Sequence, residues 1–424
     1  MQYKKIDLMT YNLHMIKTDR FKTVNVQVIF SDKIKKEEIT RRNFLSDMLT
    51  YSCSKYKTKK EISVASQDLY AANVYSTSYR VGNCYNTDIN LYFLNEKYTE
   101  KGMTEQSLDF LKEIILNPNV ENNKFDNNSF NIIKNNMRIQ IESLKEDTRK
   151  YSMIKMLENM DKNAPYSYHG FGYLEDLEQI TEENLYEYYK KFISNSSVEI
   201  YVIGDIDFNY IEKLIKEKFK FNVYKKKKEN PTIVHEKYRK KTKIIVEDDK
   251  INQSKLTIGC KLDGLTDFEK NYVLTLYNII LGGGSESLLF KKVREENSLC
   301  YYVSSSSNKV DNLLIISSGI AKSNFKKTVS LIKKELKNIE KGNFDEELIE
   351  RAKIRYKSIL DEIYDYPNQI ISAYYAVEVL NTDFPEIRKE KIMTVTKEDI
   401  IKMSKKVKMD TIFLLGGIET NEKN

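Results

Sequence analysis

Apolar and polar positions along the chain form a pattern that occurs twice. Residues 5–30 and 241–262 each contain two β-rich segments separated by a polar turn, and each pair is followed by a helical segment, at residues 36–52 and 267–281. Longer segments with helical periodicity come next in both halves. The pattern therefore predicts two copies of one α+β domain.

The two halves also end alike. A threonine that follows an aliphatic residue, Thr181 in the first half and Thr396 in the second, precedes a short amphipathic helix and then an apolar strand that ends in glycine. Acidic and amide residues fill the first helical turn in both copies, as expected of a capped helix start. A repeat this long indicates a domain duplication and excludes a solenoid.

The boundary between the halves is marked by the most basic stretch of the chain, which includes four consecutive lysines at 225–228. We predict an N-terminal domain at 1–222, a basic linker at 223–240 and a C-terminal domain at 241–424. Like charges repel and keep such a segment extended and solvated. An RNA-binding segment is the alternative, although only Tyr224 and Tyr238 are available to stack on bases.

Composition and charge narrow the class of protein. Hydrophobic residues make up 41% of the chain and charged residues 31%, which is typical of a globular protein. The net charge of +7 is small beside 69 basic and 62 acidic residues, so we expect no nucleic-acid partner. No run of eighteen apolar residues and no signal-peptide pattern occurs, so we expect a cytoplasmic protein without a membrane partner.

The cysteines and histidines are too scattered for a metal or redox motif. No Cys-x-x-Cys pair occurs, which argues against a zinc ribbon or a dithiol site. We expect buried free thiols at Cys53, Cys84, Cys260 and Cys300. The histidines lie equally far apart, at His14, His169 and His235.

A glycine-rich loop at Gly282, Gly283 and Gly284 invites a phosphate-binding interpretation, which its context excludes. A Walker-type loop requires Lys and Ser/Thr directly after its last glycine, and here Ser-Glu-Ser follows. The dinucleotide fingerprint fails too, because Ser287 lies where its last glycine is needed. The loop is instead a place where another backbone can approach closely.

Arg294 and Tyr301 flank the end of the helix that follows this loop. A guanidinium and a phenol hydroxyl that converge at a helix-to-strand corner can both donate hydrogen bonds to a carbonyl oxygen or its oxyanion. The alternative is an arginine on a solvated helix end and a tyrosine in the core.

Five segments in order resemble the pitrilysin/insulinase-type metallopeptidases, in the branch of short bacterial and mitochondrial-processing-type subunits. Together they cover nearly the whole chain: residues 114–126, 164–181, 201–206, 280–307 and 342–360. The resemblance implies an α+β fold of two homologous α/β domains. Each would have a mixed, mostly antiparallel sheet covered by helices, and the chain would form half of a clam-shell chamber.

The resemblance also places the family's zinc chemistry, and this chain departs from it. The family carries an inverted His-x-x-Glu-His motif on the first long helix of its N-terminal domain, with a further glutamate ligand on a later helix. Asn43, Ser46 and Asp47 stand at the motif positions here, and Gln140 is the match for the later ligand. Amide and hydroxyl groups are poor substitutes for imidazole and carboxylate, so we expect no metal in this chain.

In the family's short branch two chains associate, and one chain's second domain faces the other chain's zinc. The resemblance thus implies that Arg294 and Tyr301 reach the substrate carbonyl bound at the zinc of an active paralogue. In the absence of that partner we expect a homodimer. Gly282, Gly283 and Gly284 would let the peptide or a partner loop come close.

Two functions follow from the sequence. The first is a noncatalytic subunit of a heterodimeric zinc peptidase, with zinc in the partner. The second is a stand-alone peptide-binding or scaffold protein of the same fold. An extended peptide can pair with a sheet edge, and residues 73–80 are the candidate edge strand, with Tyr75 and Tyr79 on one face and Val74 and Ser76 on the other.

Overall fold

A computed structural model describes residues 1–221 and 229–417 of the chain. Residues 223–228 of the predicted basic linker, which include the four consecutive lysines at 225–228, therefore lie outside the described residues. No helix in the described part is both long enough and apolar enough to cross a lipid bilayer.

Thirteen named strands occur in the described residues. In chain order they are β1 Gln2–Asp7, β2 Asn12–Lys17, β3 Thr23–Lys33, β4 Asn73–Val81, β5 Cys84–Leu94, β6 Val120–Glu121, β7 Lys124–Phe125, β8 Ser197–Gly204, β9 Lys243–Asp248, β10 Ser254–Leu262, β11 Cys300–Asn308, β12 Leu313–Ile320 and β13 Val407–Gly416.

Fourteen α-helices connect them in the same residues. They are α1 Ile39–Tyr51, α2 Lys59–Asp68, α3 Met103–Leu116, α4 Asn127–Glu142, α5 Thr148–Met160, α6 Leu174–Glu178, α7 Glu182–Asn195, α8 Phe208–Lys218, α9 Leu274–Gly282, α10 Phe325–Glu340, α11 Glu347–Glu362, α12 Pro367–Leu380, α13 Pro385–Ile392 and α14 Lys397–Ser404. Two π-helical turns add to these, at Glu269–Val273 and Phe290–Glu295.

The chain folds into two compact units. The first comprises Met1–Ser143, His169–Asn230 and Tyr366–Ser372, and the second comprises Leu144–Tyr168, Pro231–Asp365 and Ala373–Asn424. Residues 144–168, which the sequence pattern placed in the first domain, thus belong to the second unit.

The two main sheets confirm the duplication. Strand order is β1-β2-β8-β3-β5-β4 in the first unit and β11-β12-β10-β13-β9 in the second. Each sheet has one parallel pair, β2 with β8 and β9 with β13, and its other neighbours are antiparallel. With the second order reversed, β9, β13, β10, β12 and β11 match β2, β8, β3, β5 and β4. The predicted mixed, mostly antiparallel sheets are confirmed.

Local sequence explains the paired helix starts. Thr181 accepts a hydrogen bond from the Asn184 backbone and Thr396 accepts one from the Asp399 backbone, and both form complete capping boxes. Each box satisfies backbone N–H groups that the first helical turn leaves without partners. The repeat seen in the sequence is therefore a repeat of helix initiation.

Helix α5 covers one face of the second sheet. Its Met156 and Met160 join a buried cluster with Phe413 and Leu415 of β13. A Cβ on Gly259 of β10 would lie 2.3 Å from the Met160 methyl and 2.4 Å from the Met156 sulfur, so a larger residue there would displace these two flexible side chains. The other face of the sheet packs against α9, α11 and α14.

Candidate functional site

Helix α1 carries the positions that correspond to the zinc motif. Its apolar residues Phe44, Leu45, Met48 and Leu49 are all buried in the core of the first unit, as the sequence predicted. The Phe44 ring stacks on Phe130 of α4 with 4.7 Å between ring centres. The helix is therefore held by ordinary apolar packing, whatever its polar face does.

The amide of Asn43 is occupied by neighbouring groups of the same unit. Its Nδ2 donates to the Gly170 carbonyl at 2.8 Å and to the Tyr85 hydroxyl at 3.0 Å. Tyr85 in turn donates to the Gly170 carbonyl at 2.9 Å. Burial raises the pKa of the Tyr85 phenol to about 12, so it stays a neutral donor.

The loop that supplies Gly170 is seated on the start of α1. The backbone N–H of Tyr173 donates to Thr40 Oγ1 at 2.9 Å. Gly172 has φ +95°, and a Cβ there would lie 2.2 Å from the same oxygen. Only glycine can take that backbone conformation at that distance, so this loop packs directly against the start of the helix that carries Asn43.

Ser46, Asp47 and Gln140 do not complete a ligand set. Ser46 is buried, and its carbonyl accepts a hydrogen bond from Ser76 Oγ of β4 at 2.8 Å. Asp47 and Gln140 are both exposed. The protein around Asp47 removes part of its hydration and raises the pKa of its carboxyl to about 6, and the Lys59 charge opposes that rise.

These residues do not fit zinc. A structural or catalytic zinc site needs three or four imidazole, thiolate or carboxylate ligands, and the α1 positions supply one carboxylate, one hydroxyl and an amide that is already hydrogen-bonded. Across residues 1–221 and 229–417, no group of three or more His, Cys, Asp or Glu side chains is arranged to hold a metal ion.

Arg294 and Tyr301 do come together. The Arg294 guanidinium carbon lies 5.9 Å from the centre of the Tyr301 ring and 4.6 Å from that of Phe290. Arg294 is exposed, and 77% of the Tyr301 surface is accessible. The alternative of a core tyrosine is therefore wrong, and both donors point to solvent at one corner of the second unit.

A β-bulge gives Tyr301 this position. Cys300 pairs with Ile320 of β12 and Tyr302 pairs with Gly319, which leaves Tyr301 as the extra residue on its strand. Such an insertion interrupts the ladder and turns a side chain away from its regular direction. The turn that connects the Arg294 helix to this bulge contains Ser298 in a left-handed conformation, at φ +50°.

Both sheets leave an equivalent strand at the edge. The predicted edge at residues 73–80 is confirmed, because β4 is the terminal strand of the first sheet. Val74 faces the core, while the Tyr75 ring lies beside Tyr92 at 6.2 Å on the other face. Strand β11, which carries Tyr301, is the duplicated counterpart of β4 and is also terminal.

The three glycines have contacts within the second unit that explain them. A Cβ on Gly282 would lie 2.6 Å from the backbone nitrogen of Ser305, and one on Gly284 would lie 2.1 Å from a guanidinium nitrogen of Arg355. On Gly283 it would lie 2.6 Å from Cα of Ile279. At Gly282 the close approach that the sequence suggested is made by the backbone of this chain's own β11, whereas the neighbour of Gly284 is the flexible end of a side chain.

Two further cations lie near the start of β11, and sequence reasoning missed them. Arg149 of α5 stacks over Tyr302 with 4.3 Å from its guanidinium carbon to the ring centre, and the Lys255 ammonium lies 5.9 Å from the same ring. Burial and the Arg149 charge lower the pKa of Lys255. Two cations thus flank the Tyr302 ring, and one of them is carried by α5.

Comparison with known proteins agrees with this structure. The sequence pattern of the family described as "Peptidase M16 inactive domain" matches residues 179–356. A Bacillus subtilis protein named "Probable inactive metalloprotease YmfF" is 29% identical over 415 residues, which is 96% of each chain.

Solved structures extend the likeness to the whole fold. The crystal structure of a conserved protein from Enterococcus faecalis is 27% identical and covers 99% of this chain and 100% of that one, with a TM-score of 0.91. The fold is also that of a peptidase M16 inactive domain from Pseudomonas fluorescens, at a TM-score of 0.78, 17% identity and full coverage of both chains.

Proposed function

Because this chain belongs to the M16 peptidase family as an inactive homologue, we propose that it is the noncatalytic subunit of a two-chain zinc peptidase. Its partner would be an active paralogue that carries the metal. Arg294 and Tyr301 of this chain would bind the peptide at the partner's site. The cytoplasmic location expected from the sequence is part of the same proposal.

The exposed pair of donors carries this function. Arg294 and Tyr301 lie side by side, and neither is engaged in the core. A guanidinium and a phenol hydroxyl both donate hydrogen bonds and can stabilise the charge that develops on a carbonyl oxygen during peptide cleavage. Zinc in the partner would supply the activated water, and this chain would hold and polarise the substrate.

The first unit has lost the means to work alone. Asn43 is bonded to Gly170 and Tyr85, and Asp47 is the single carboxylate at the three motif positions, none of which has an imidazole. Ser46 cannot serve as a general base near neutral pH, a role worth roughly 10²–10⁴ in rate. A chain with an intact donor corner and no metal ligands is suited to complete another chain's site.

Cleavage assays of the reconstituted pair test this function. We expect the chain alone to cleave no peptide and a mixture with the zinc-bearing paralogue of the same organism to be active. Arg294→Ala and Tyr301→Phe should each lower kcat of the mixture by about 10²–10³, the usual loss when a donor to developing charge is removed. Light scattering should show that both variants still assemble.

Matched variants separate this role from a general loss. Arg351→Ala removes an exposed arginine of the same unit, and Tyr98→Phe removes an exposed hydroxyl of the first unit. Both should leave turnover unchanged. Unchanged turnover in Arg294→Ala and Tyr301→Phe would refute the role in trans.

The two terminal strands favour a second candidate, a peptide-binding scaffold. Strands β4 and β11 both end their sheets, and an extended peptide can add to such an edge. This candidate predicts that the isolated chain binds extended peptides in a fluorescence anisotropy titration. It also predicts that no paralogue makes the mixture cleave them.

A further inference from the structure

A second group of positive side chains lies in the second unit, on elements other than the Arg294 corner. Lys309 directly follows β11, and Arg388 and Lys391 are on α13. Asp383 precedes this helix by two residues. Lys309 bonds to Asn271 and Asp383 bonds to the next residue, Tyr272. The Lys391 ammonium lies 5.9 Å from the Tyr272 ring centre, and Arg388 is one helical turn before Lys391.

Asp383 is already satisfied. Its Oδ2 accepts hydrogen bonds from the Lys391 ammonium at 2.8 Å and from the Tyr272 hydroxyl. These two bonds, together with the Arg388 charge, hold the pKa of the Asp383 carboxyl below its usual range. The one carboxylate of the group is therefore hydrogen-bonded to Lys391, and it makes no hydrogen bond to Lys309 or Arg388 in the described residues.

Lys309 and Arg388 have only neutral partners in the described part of the chain. Lys309 Nζ donates to the amide oxygen of Asn271 at 2.8 Å. Arg388 Nε donates to the Tyr356 hydroxyl at 3.0 Å, and the guanidinium carbon lies 5.5 Å from that ring's centre. Burial lowers the pKa of Lys309 to about 8, so this ammonium is poorly hydrated, and no carboxylate of the described residues bonds to it.

The turn next to Asp383 adds a donor without a partner. The Thr382 hydroxyl is buried, with 6% of the residue exposed, and has no hydrogen-bond partner within residues 1–221 and 229–417. Asn381, with φ +50°, forces the chain into a left-handed turn at this point. A buried hydroxyl without a partner costs free energy unless a ligand or water uses it.

We propose that Lys309, Arg388 and Lys391 form a binding site for a small doubly charged oxyanion of the phosphate type. Three cations and one carboxylate leave a net charge of +2, which a dianion neutralises and a monocarboxylate does not. The planar fork of arginine and the point charge of lysine are both suited to tetrahedral oxygens. The site is independent of the peptidase role and uses none of its residues.

Calorimetric titration of the full chain with inorganic phosphate, at constant ionic strength, tests the proposal. We expect saturable one-site binding to the wild type and none of acetate. Lys309→Gln and Arg388→Gln should each weaken phosphate binding by about tenfold or more, since each removes a charge-assisted hydrogen bond. A parallel titration with phosphoserine identifies the source of the phosphoryl group. If the site takes a phosphoryl group carried on a peptide, phosphoserine should bind at least as tightly as inorganic phosphate. If the site takes the free ion, phosphoserine should bind more weakly than inorganic phosphate.

Lys389→Gln is the matched control. It removes one positive charge from α13, the helix that carries Arg388, but Lys389 is paired with Asp361 on α11. It should bind phosphate like the wild type. The absence of saturable phosphate binding to the wild type would overturn the proposal. So would equal weakening by Lys389→Gln and Lys309→Gln, which would indicate general charge screening. If Arg388→Gln does not fold, Lys309→Gln decides.

Discussion

The Gly282→Ala substitution tests whether glycine is needed here for packing of α9 against β11 or for the close approach of a ligand. The added Cβ would lie 2.6 Å from the backbone nitrogen of Ser305, 2.7 Å from its Oγ and 2.9 Å from its Cβ. Ser305 cannot give way easily, because its hydroxyl donates to the Asn278 side chain at 2.9 Å and to the Asn278 carbonyl at 3.2 Å. Helix α9 and strand β11 must therefore separate by several tenths of an ångström.

The size of the effect follows from two opposing terms. Overpacking against backbone, which cannot rotate away, costs about 2–3 kcal/mol at the upper end of the usual range. Alanine gains about 1 kcal/mol over glycine in a helix. The free energy of unfolding of the second unit should thus fall by about 1–2 kcal/mol, which lowers its melting temperature by roughly 2–8 °C.

Thermal unfolding followed by circular dichroism measures this shift. Gly170→Ala is the control, because a Cβ there meets nothing within 4 Å and should leave the melting temperature unchanged. A Gly282→Ala protein as stable as the wild type would refute the packing explanation. If that variant also lost its contribution to cleavage in the reconstituted pair, the glycine would instead serve the approach of a ligand.

Two further predictions concern buried charges in the first unit. Burial raises the pKa of Asp88 to about 7, above its unfolded value, so the folded state binds more protons and stability should fall as pH rises from about 4 to 7. Asp88→Asn should remove about 2–3 kcal/mol of the stability difference between pH 5 and pH 8 in urea unfolding, because this interval covers about two pH units of the titration; an unaltered pH profile would contradict this assignment. Arg42 is buried and paired with Asp32 at 2.7 Å, so Arg42→Met should lower the free energy of unfolding by about 3 kcal/mol. The exposed Arg138→Met should cost under about 1 kcal/mol in the same assay, and equal losses would show that burial is not the cause.

Local sequence determined the elements and their repetition. The capping boxes at Thr181 and Thr396, the apolar face of α1 and the alternation in β4 depend on neighbours a few residues away, so periodicity reveals them. The missing zinc ligands could also be inferred from the sequence, since a side chain that lacks imidazole or carboxylate cannot acquire either by folding. The position of residues 73–80 at a sheet edge was inferred from the resemblance and is confirmed.

The tertiary structure decided how distant segments meet. No sequence pattern places Gly170 on Asn43, moves α5 onto the second sheet or inserts Tyr301 as a bulge, because each depends on strand register and on contacts between residues far apart in the chain. The cluster of Lys309, Arg388 and Lys391 is of the same kind. The sequence by itself thus fixes which chemical groups this protein has and which helices and strands carry them. Only tertiary packing decides which of those groups become neighbours. The interaction energies between groups depend on the distances between them, and no local sequence pattern encodes those distances.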